Sequence, residues 1–165
     1  MTDSPLVVVT FCTALGCGLI GGIFFAFSTF VMPALARLPA SQGIAAMQAI
    51  NVAAITPLFM LALFGTGAAC LFLSGHALVR WQQPGAAYLL GGSAFYVLGV
   101  VVVTIVFNVP RNNALAAVNS ASADGARLWA SYLTTWTAWN HVRTITALTA
   151  AALLMMSWGI QRAVP

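Results

Sequence analysis

The chain has 165 residues, of which 61% are hydrophobic and 5% are charged. Soluble domains carry about 25% charged residues, so this composition excludes a soluble globular domain and predicts an integral membrane protein. The net charge of +4 comes from six arginines scattered singly along the chain, a pattern that argues against a nucleic-acid-binding face.

Four apolar runs are each long enough to cross a bilayer as a helix, which takes about 20 residues. The runs cover residues 6–31, 57–75, 86–107 and 133–160. In the link between the first two runs, Ser41 is a candidate helix N-cap and good helix formers follow it. We therefore predict a single all-α membrane domain over residues 1–165. It is a four-helix transmembrane bundle with a short extra helix between spans one and two.

The first span contains a formal G-x-G-x-x-G match that begins at Gly16. A dinucleotide-binding fingerprint needs a preceding strand and a βαβ unit, which an apolar membrane span does not provide. Gly18 and Gly22 are instead interpreted as a small-xxx-small pair that allows close helix packing. Such a pair permits a homo-oligomer but does not require one.

Four antiparallel spans place both termini on the same side of the membrane, and they gather most of the polar side chains at the opposite mouth of the bundle. That mouth collects Ser28, Thr29, Gln48, Asn51, Asn108, Arg111, Asn112, Asn113, Trp136, Asn140, His141 and Arg143. Polar groups at the edge of an apolar span are costly, and they persist mostly where they line a cavity or find a partner. The asymmetry predicts a site at this mouth.

The stretch from Trp136 to Thr144 carries the densest part of this pattern. On a helix, Trp136, Asn140 and Arg143 follow spacings of four and three and share one face. Aromatic walls with a few aimed polar groups suit a flat aromatic ligand that bears an oxygen substituent. The alternative is an aromatic belt at the membrane interface with a hydrogen-bonded helix start. Asp124 is the only acid near this mouth, so Arg143 needs carbonyls, a lipid headgroup or an anionic ligand.

His141 is the one candidate general base at this mouth with a side chain that titrates near neutral pH; a structural donor or an interface residue is an equal alternative. We expect no metal site. His76 belongs to the other side of the membrane, so the two histidines cannot share a haem, and the chain has no glutamate for a di-iron carboxylate site. The three cysteines are interpreted as small buried apolar residues.

Two motifs carry a resemblance to a known family: Asn108-Val-Pro-Arg-Asn-Asn at the end of span three, and Trp136-Thr-Ala-Trp-Asn-His-Val-Arg-Thr at the start of span four. With Gly22-Ile-Phe-Phe-Ala-Phe-Ser and Met47-Gln-Ala-Ile-Asn, they resemble the small membrane proteins that include the anthrone oxygenases. The resemblance implies a four-helix membrane protein. Some members oxidise an anthrone to an anthraquinone in polyketide pathways, without a metal or flavin. The positions that match are Asn108, Arg111, Asn113, Trp136, Asn140 and Arg143.

We therefore expect a membrane protein in the bacterial inner membrane that acts as a cofactor-independent oxygenase on an anthrone-like aromatic substrate. The expected catalytic residues are His141 as base, with Arg143, Asn140 and Arg111 as donors to the developing oxyanion. The expected substrate-binding residues are Asn51, Asn108, Asn113, Trp136 and Trp139. The alternative is a non-catalytic module that binds a lipid, a quinone or another hydrophobic small molecule, or that assists a partner protein. A small transporter subunit is a weaker alternative, because the spans contain no acidic residue.

Overall fold

The computed structural model describes residues 4–163, and within them the chain forms helices and short connections only. Five helices follow one another: α1 (Pro5–Ala36), α2 (Ala40–Ala53), α3 (Pro57–Val79), α4 (Ala86–Ala116) and α5 (Ala123–Ala163). Of these, α1, α3, α4 and α5 are long and apolar enough to cross a membrane. The all-α fold, the four candidate membrane spans and the short extra helix between the first two are confirmed.

Two of the long helices continue through prolines at which the sequence predicted a link. α1 passes Pro33 and α4 passes Pro110, although proline lacks the N–H of an ordinary helical hydrogen bond. A wide π-helical turn precedes each proline, at Phe27–Val31 and at Thr104–Asn108. Such turns take up local irregularity without ending a helix, and they are frequent at functional sites. Both helices therefore extend beyond the bilayer edge that the apolar runs suggested.

α5 is the central element of the bundle, since it packs along both α1 and α4, while α3 packs mainly against α4. Close approach of α4 and α5 depends on Gly99, where a Cβ atom would overlap the Thr146 side chain. In α1, Gly21 lies against α5, where a Cβ atom would overlap the Leu148 side chain. Gly18 and Gly22 face open space, so they pack against no other helix of the same chain, and their part in a homo-oligomer stays a prediction.

The apolar interior is divided into two clusters. The first, the bundle core, fills the centre of the four long helices and consists of Ala14, Cys17, Ile20, Phe24, Leu63, Cys70, Leu73, Ala77, Leu89, Tyr96, Val100, Ala147, Ala150 and Leu154. The second, the cap core, consists of Met32, Leu35, Ile44, Met47, Leu115, Trp129, Tyr132 and Trp136. It joins α2 to the end of α1, the end of α4 and the start of α5.

α2 lies across one end of the bundle and closes it. The Gln48 amide nitrogen donates to the carbonyl oxygens of Leu115 and Val118, at 2.8 and 3.1 Å, which holds α2 to the end of α4. The 41 residues of α5 span about 60 Å at 1.5 Å per residue, twice the thickness of a hydrocarbon core of about 30 Å. At the opposite end Phe11 packs on Trp158, with ring centroids 5.3 Å apart, so the two ends of the described chain lie together, away from the cap.

Candidate functional site

A cavity of about 380 Å³ lies between the bundle core and the cap core. All five helices contribute to its wall. The apolar part includes Ile23, Phe24, Phe27, Met47, Ile50, Phe59, Met60, Leu63, Phe64 and Trp136. The polar part consists of Gln48, Asn51, Thr104, Asn112, Asn113 and Arg143. Small-molecule sites have this composition, with apolar walls and a few polar groups, and occupy about 300–1,000 Å³. The volume suits a ligand the size of a tricyclic aromatic.

Arg143 is the charged group of the cavity, and it is only 4% exposed. Its Nη2 donates to Asn140 Oδ1 at 2.6 Å, and its Nη1 donates to Thr104 Oγ1 at 3.2 Å. The guanidinium carbon lies 4.1 Å from the centroid of the Phe24 ring and 5.3 Å from that of Trp136. The buried Nε–H has no partner. Arg143 therefore lines the cavity with one guanidinium N–H that has no hydrogen-bond partner and is itself buried.

No carboxylate within residues 4–163 contacts this arginine. Asp124, the acidic side chain in that range, pairs with Arg127 on the protein surface, and the chain's other acid is Asp3. The positive charge of Arg143 is offset by the faces of two aromatic rings and by neutral oxygens. A buried charge without a counter-ion is costly, so an anion that enters the cavity gains a strong electrostatic partner.

Asn140 holds Arg143 in place. It is fully buried, and its Nδ2 donates to the carbonyl oxygen of Phe24 at 2.7 Å and to Ser28 Oγ at 2.6 Å. Because the Phe24 carbonyl can only accept, the amide nitrogen must face α1, and this leaves Oδ1 facing the guanidinium. The asparagine thus connects α1 to α5 and fixes the direction of the arginine.

Asn112 belongs to the site, although the sequence did not single it out as a catalytic or substrate-binding residue. Its Oδ1 accepts from Tyr132 Oη and from Trp136 Nε1, both at 2.8 Å. These two rings stack with Trp129 in a row, with centroids 5.6 and 5.7 Å apart. The signal was present in the sequence, since Asn112 lies four residues after Asn108 and shares its helix face.

The other predicted asparagines lie at or directly behind the wall. Asn51 and Asn113 line the cavity, and the Nδ2 atom of Asn51 is buried without a partner. Asn108 is buried behind the lining, where its Nδ2 donates to the carbonyl oxygen of Trp136 at 3.3 Å. Asn51 thus lines the cavity with an amide whose nitrogen is buried, as the Nε atom of Arg143 is.

Five of the nine predicted residues are not among those that line the cavity: Asn108 and Asn140, described above, and Arg111, Trp139 and His141. Arg111 donates from Nη1 to the Phe107 carbonyl at 2.6 Å and from Nε to Thr135 Oγ1 at 3.2 Å. Trp139 stacks on Phe107, with centroids 3.6 Å apart, and His141 is exposed. The structure therefore brings Asn51, Asn113, Trp136 and Arg143 together at the wall, with Asn108 and Asn140 behind them.

Within the described part of the chain, no group of three or more His, Cys, Asp or Glu side chains is placed to hold a metal ion. His76 lies in the last turn of α3, at the end of the bundle opposite the cap. The polar groups that the cavity offers are one guanidinium, amides and hydroxyls, which bind oxygen-bearing organic ligands by hydrogen bonds.

The family model for anthrone oxygenase matches residues 57–153, more than half of the chain. The match runs from the start of α3 into α5, and it includes Thr104, Asn112, Asn140 and Arg143. Comparison with curated proteins and with solved structures gives no match. The match agrees with the resemblance carried by the motifs at Asn108 and Trp136, and the chain belongs to the anthrone oxygenase family.

Proposed function

We propose that the protein is a membrane-embedded oxygenase that converts an anthrone-like polycyclic substrate into its quinone with molecular oxygen and without a bound cofactor. The observation that carries this proposal is the buried guanidinium of Arg143, which faces an apolar cavity without a carboxylate partner among residues 4–163. Family membership supplies the reaction class.

The oxidation of an anthrone proceeds through the substrate's anion, which reacts with oxygen without a metal or flavin. An anthrone loses a benzylic proton to give an extended phenolate-type anion, which is electron-rich enough to react with oxygen directly. Oxygen adds at the benzylic carbon, and the hydroperoxide that forms loses water to leave the quinone. One oxygen atom of O₂ enters the product and the other leaves as water, so the substrate supplies all the electrons.

In this scheme Arg143 stabilises the anion as it forms. Its positive charge stabilises the developing oxyanion in a largely apolar surrounding, where such an interaction is worth most. Trp136 and Phe24 hold the fused rings, and Asn140 keeps the guanidinium directed at the ligand. An amide of the lining, from Asn51 or Asn113, takes a second oxygen of the substrate.

His141 was predicted as the base, and it lies outside the residues that line the cavity. The proposal therefore relies on lowering the pKa of the bound substrate, with the proton passing to water at the exposed lining residue Asn113. A His141→Ala variant distinguishes the two routes. We expect it to keep its turnover, and a large loss would support the role of base that the sequence predicted.

The direct test is oxygen consumption by the purified protein in lipid nanodiscs with anthrone as substrate. We expect Arg143→Gln to lower kcat by about 100-fold, the usual loss when one oxyanion donor is removed. Arg162→Gln is the matched control, because Arg162 is exposed and stacks on Trp158 at the other end of α5. Turnover that survives Arg143→Gln would contradict the mechanism.

A second candidate function is non-catalytic binding of a quinone or another hydrophobic small molecule. It is favoured by the predominantly apolar wall of the cavity and by its exposed apolar rim at Val52 and Ile55. Saturable binding of anthraquinone with no oxygen uptake on anthrone would support this candidate over the oxygenase.

A further inference from the structure

We propose that ligands enter and leave the cavity sideways from the bilayer, through a window between the first half of α3 and the last part of α4, beneath the end of α2. The inference deepens the proposed function and rests on it in one respect, namely that the ligand is a lipid-soluble polycyclic aromatic. It assigns the route of access to the cavity.

The window is defined by lining residues that are also exposed. Val52 and Ile55, at the junction of α2 and α3, are 75% and 74% exposed, and both line the cavity. Phe64 on α3 and Val109 on α4 also combine exposure with a place in the lining. The opening is therefore framed by apolar side chains, as a passage from lipid requires.

The helices separate where the window lies. α3 and α4 pack closely over Thr66–Val79 and Ala86–Tyr96, and few contacts join them nearer the cap. The π-helical turn of α3, Leu61–Gly65, lies at the point where they part. Turns of this kind are a known cause of helix bends, and α4 has two of them in the same region, at Val97–Val102 and Thr104–Asn108.

The end of the bundle beneath α2 is closed by packing. α2 covers that end, with Ile44 and Met47 buried in the cap core. The two hydrogen bonds from Gln48 to the carbonyls of Leu115 and Val118 hold it there. A ligand that entered through the cap core would have to break this packing, whereas the exposed part of the lining lies beside α2, between α3 and α4.

The lower part of the window lies at the depth of the acyl chains. α3 has 23 residues, which span about 35 Å and match a hydrocarbon core of about 30 Å. We therefore place one boundary of the membrane at its first residue, Pro57. Phe64 lies seven residues further along, about 10 Å below that boundary, whereas Val52 and Ile55 precede Pro57 and lie at the boundary itself. The window thus reaches from the headgroup level into the acyl chains, where a lipid-soluble ligand dissolves.

The substrate class of the proposed function suits both environments on this route, the apolar window and the cavity with its buried arginine. In the window it passes apolar side chains and must be neutral, and in the cavity it meets an unpaired guanidinium and gains by ionising. A polycyclic aromatic with a weakly acidic C–H or O–H group satisfies both conditions. A permanently charged ligand satisfies only the second.

The test measures exchange and affinity separately. Ring-fluorinated hydroxymethylanthracene in phosphatidylcholine nanodiscs serves as the neutral probe, and fluorine NMR gives its rates of binding and release. Val52→Trp and Ala116→Trp each place a large ring at an exposed position of the lining. We expect both rates to fall together by about tenfold, which equals about 1.4 kcal/mol of added barrier, with Kd little changed.

Leu71→Trp is the matched control, since Leu71 is an exposed position of α3 outside the cavity. Ile44→Ala tests the competing route, because Ile44 packs α2 into the cap core and is not part of the cavity lining. Unchanged rates in both window variants would overturn the inference, as would faster exchange in Ile44→Ala alone. Failure of the wild-type chain to bind the probe would also count against it. Slowed exchange in a chain that consumes no oxygen would support the window and refute the oxygenase.

Discussion

Arg143 should give the cavity a preference for anionic over neutral ligands of the same shape. The perturbation is Arg143→Gln, which removes the charge while its amide nitrogen can still donate toward Asn140 Oδ1. Arg111→Gln is the matched control, since Arg111 is also on a candidate membrane helix but bonds to Phe107 and Thr135 and is not part of the lining. We expect the first variant to lose the preference and the second to keep it.

The magnitude follows from the contacts of the guanidinium. It lines the cavity and has no carboxylate partner among residues 4–163, so we assign a bound anion one charge-assisted hydrogen bond to the guanidinium. Such a bond contributes about 1.5–3 kcal/mol, which corresponds to about 10–150-fold in Kd. A pair of opposite charges about 4 Å apart, at an effective dielectric constant of about 20, sets an upper limit near 4 kcal/mol.

The assay compares anthracene carboxylate with hydroxymethylanthracene, by equilibrium fluorescence titration in nanodiscs of zwitterionic lipid. The wild-type chain should bind the carboxylate more tightly than the alcohol, by about 10–150-fold in Kd. The preference should change little with salt, because the guanidinium is buried and buried pairs are weakly screened. Equal affinities in the wild-type chain, or a preference that disappears equally in Arg111→Gln, would refute the reasoning.

Three further changes test the surrounding structure. Asn140→Asp supplies the missing carboxylate beside Arg143, so it should abolish both the anion preference and the oxygen uptake, as titration and electrode measurements would show. Asn112→Ala leaves two buried aromatic donors without an acceptor, at about 1–3 kcal/mol each, and should lower the Tm; an unchanged Tm would mean that water replaces the amide. Gly99→Ala should lower the Tm because its Cβ would overlap a side chain of α5, whereas Gly22→Ala faces open space and should not.

The general position of the site could be read from the sequence because it depends on chain order. Once four spans alternate in direction, Asn51, Asn108 and Asn140 must arrive at the same mouth and His76 must arrive at the other. Helical spacing then places Trp136, Asn140 and Arg143 on one stripe. Asn51, Trp136 and Arg143 lie at the wall of the cavity, and Asn108 and Asn140 lie directly behind it.

The face that each helix turns inward was harder to predict. In a membrane span lipid-facing and buried positions are both apolar, so the hydrophobic pattern that orients a soluble helix is weak. Arg111 was therefore selected while Asn112 beside it was missed. Both prolines were taken for span ends, although π-helical turns carry the helices through them.

By itself, the sequence determined the class of protein, the number of spans and the end at which polar groups gather, because these depend on composition, run length and chain order. Only the tertiary structure decided that Arg143 is buried at the wall of a cavity while His141 is exposed outside its lining. Helix rotation and the separation of α3 from α4 result from contacts between residues distant in sequence, and no local pattern encodes them.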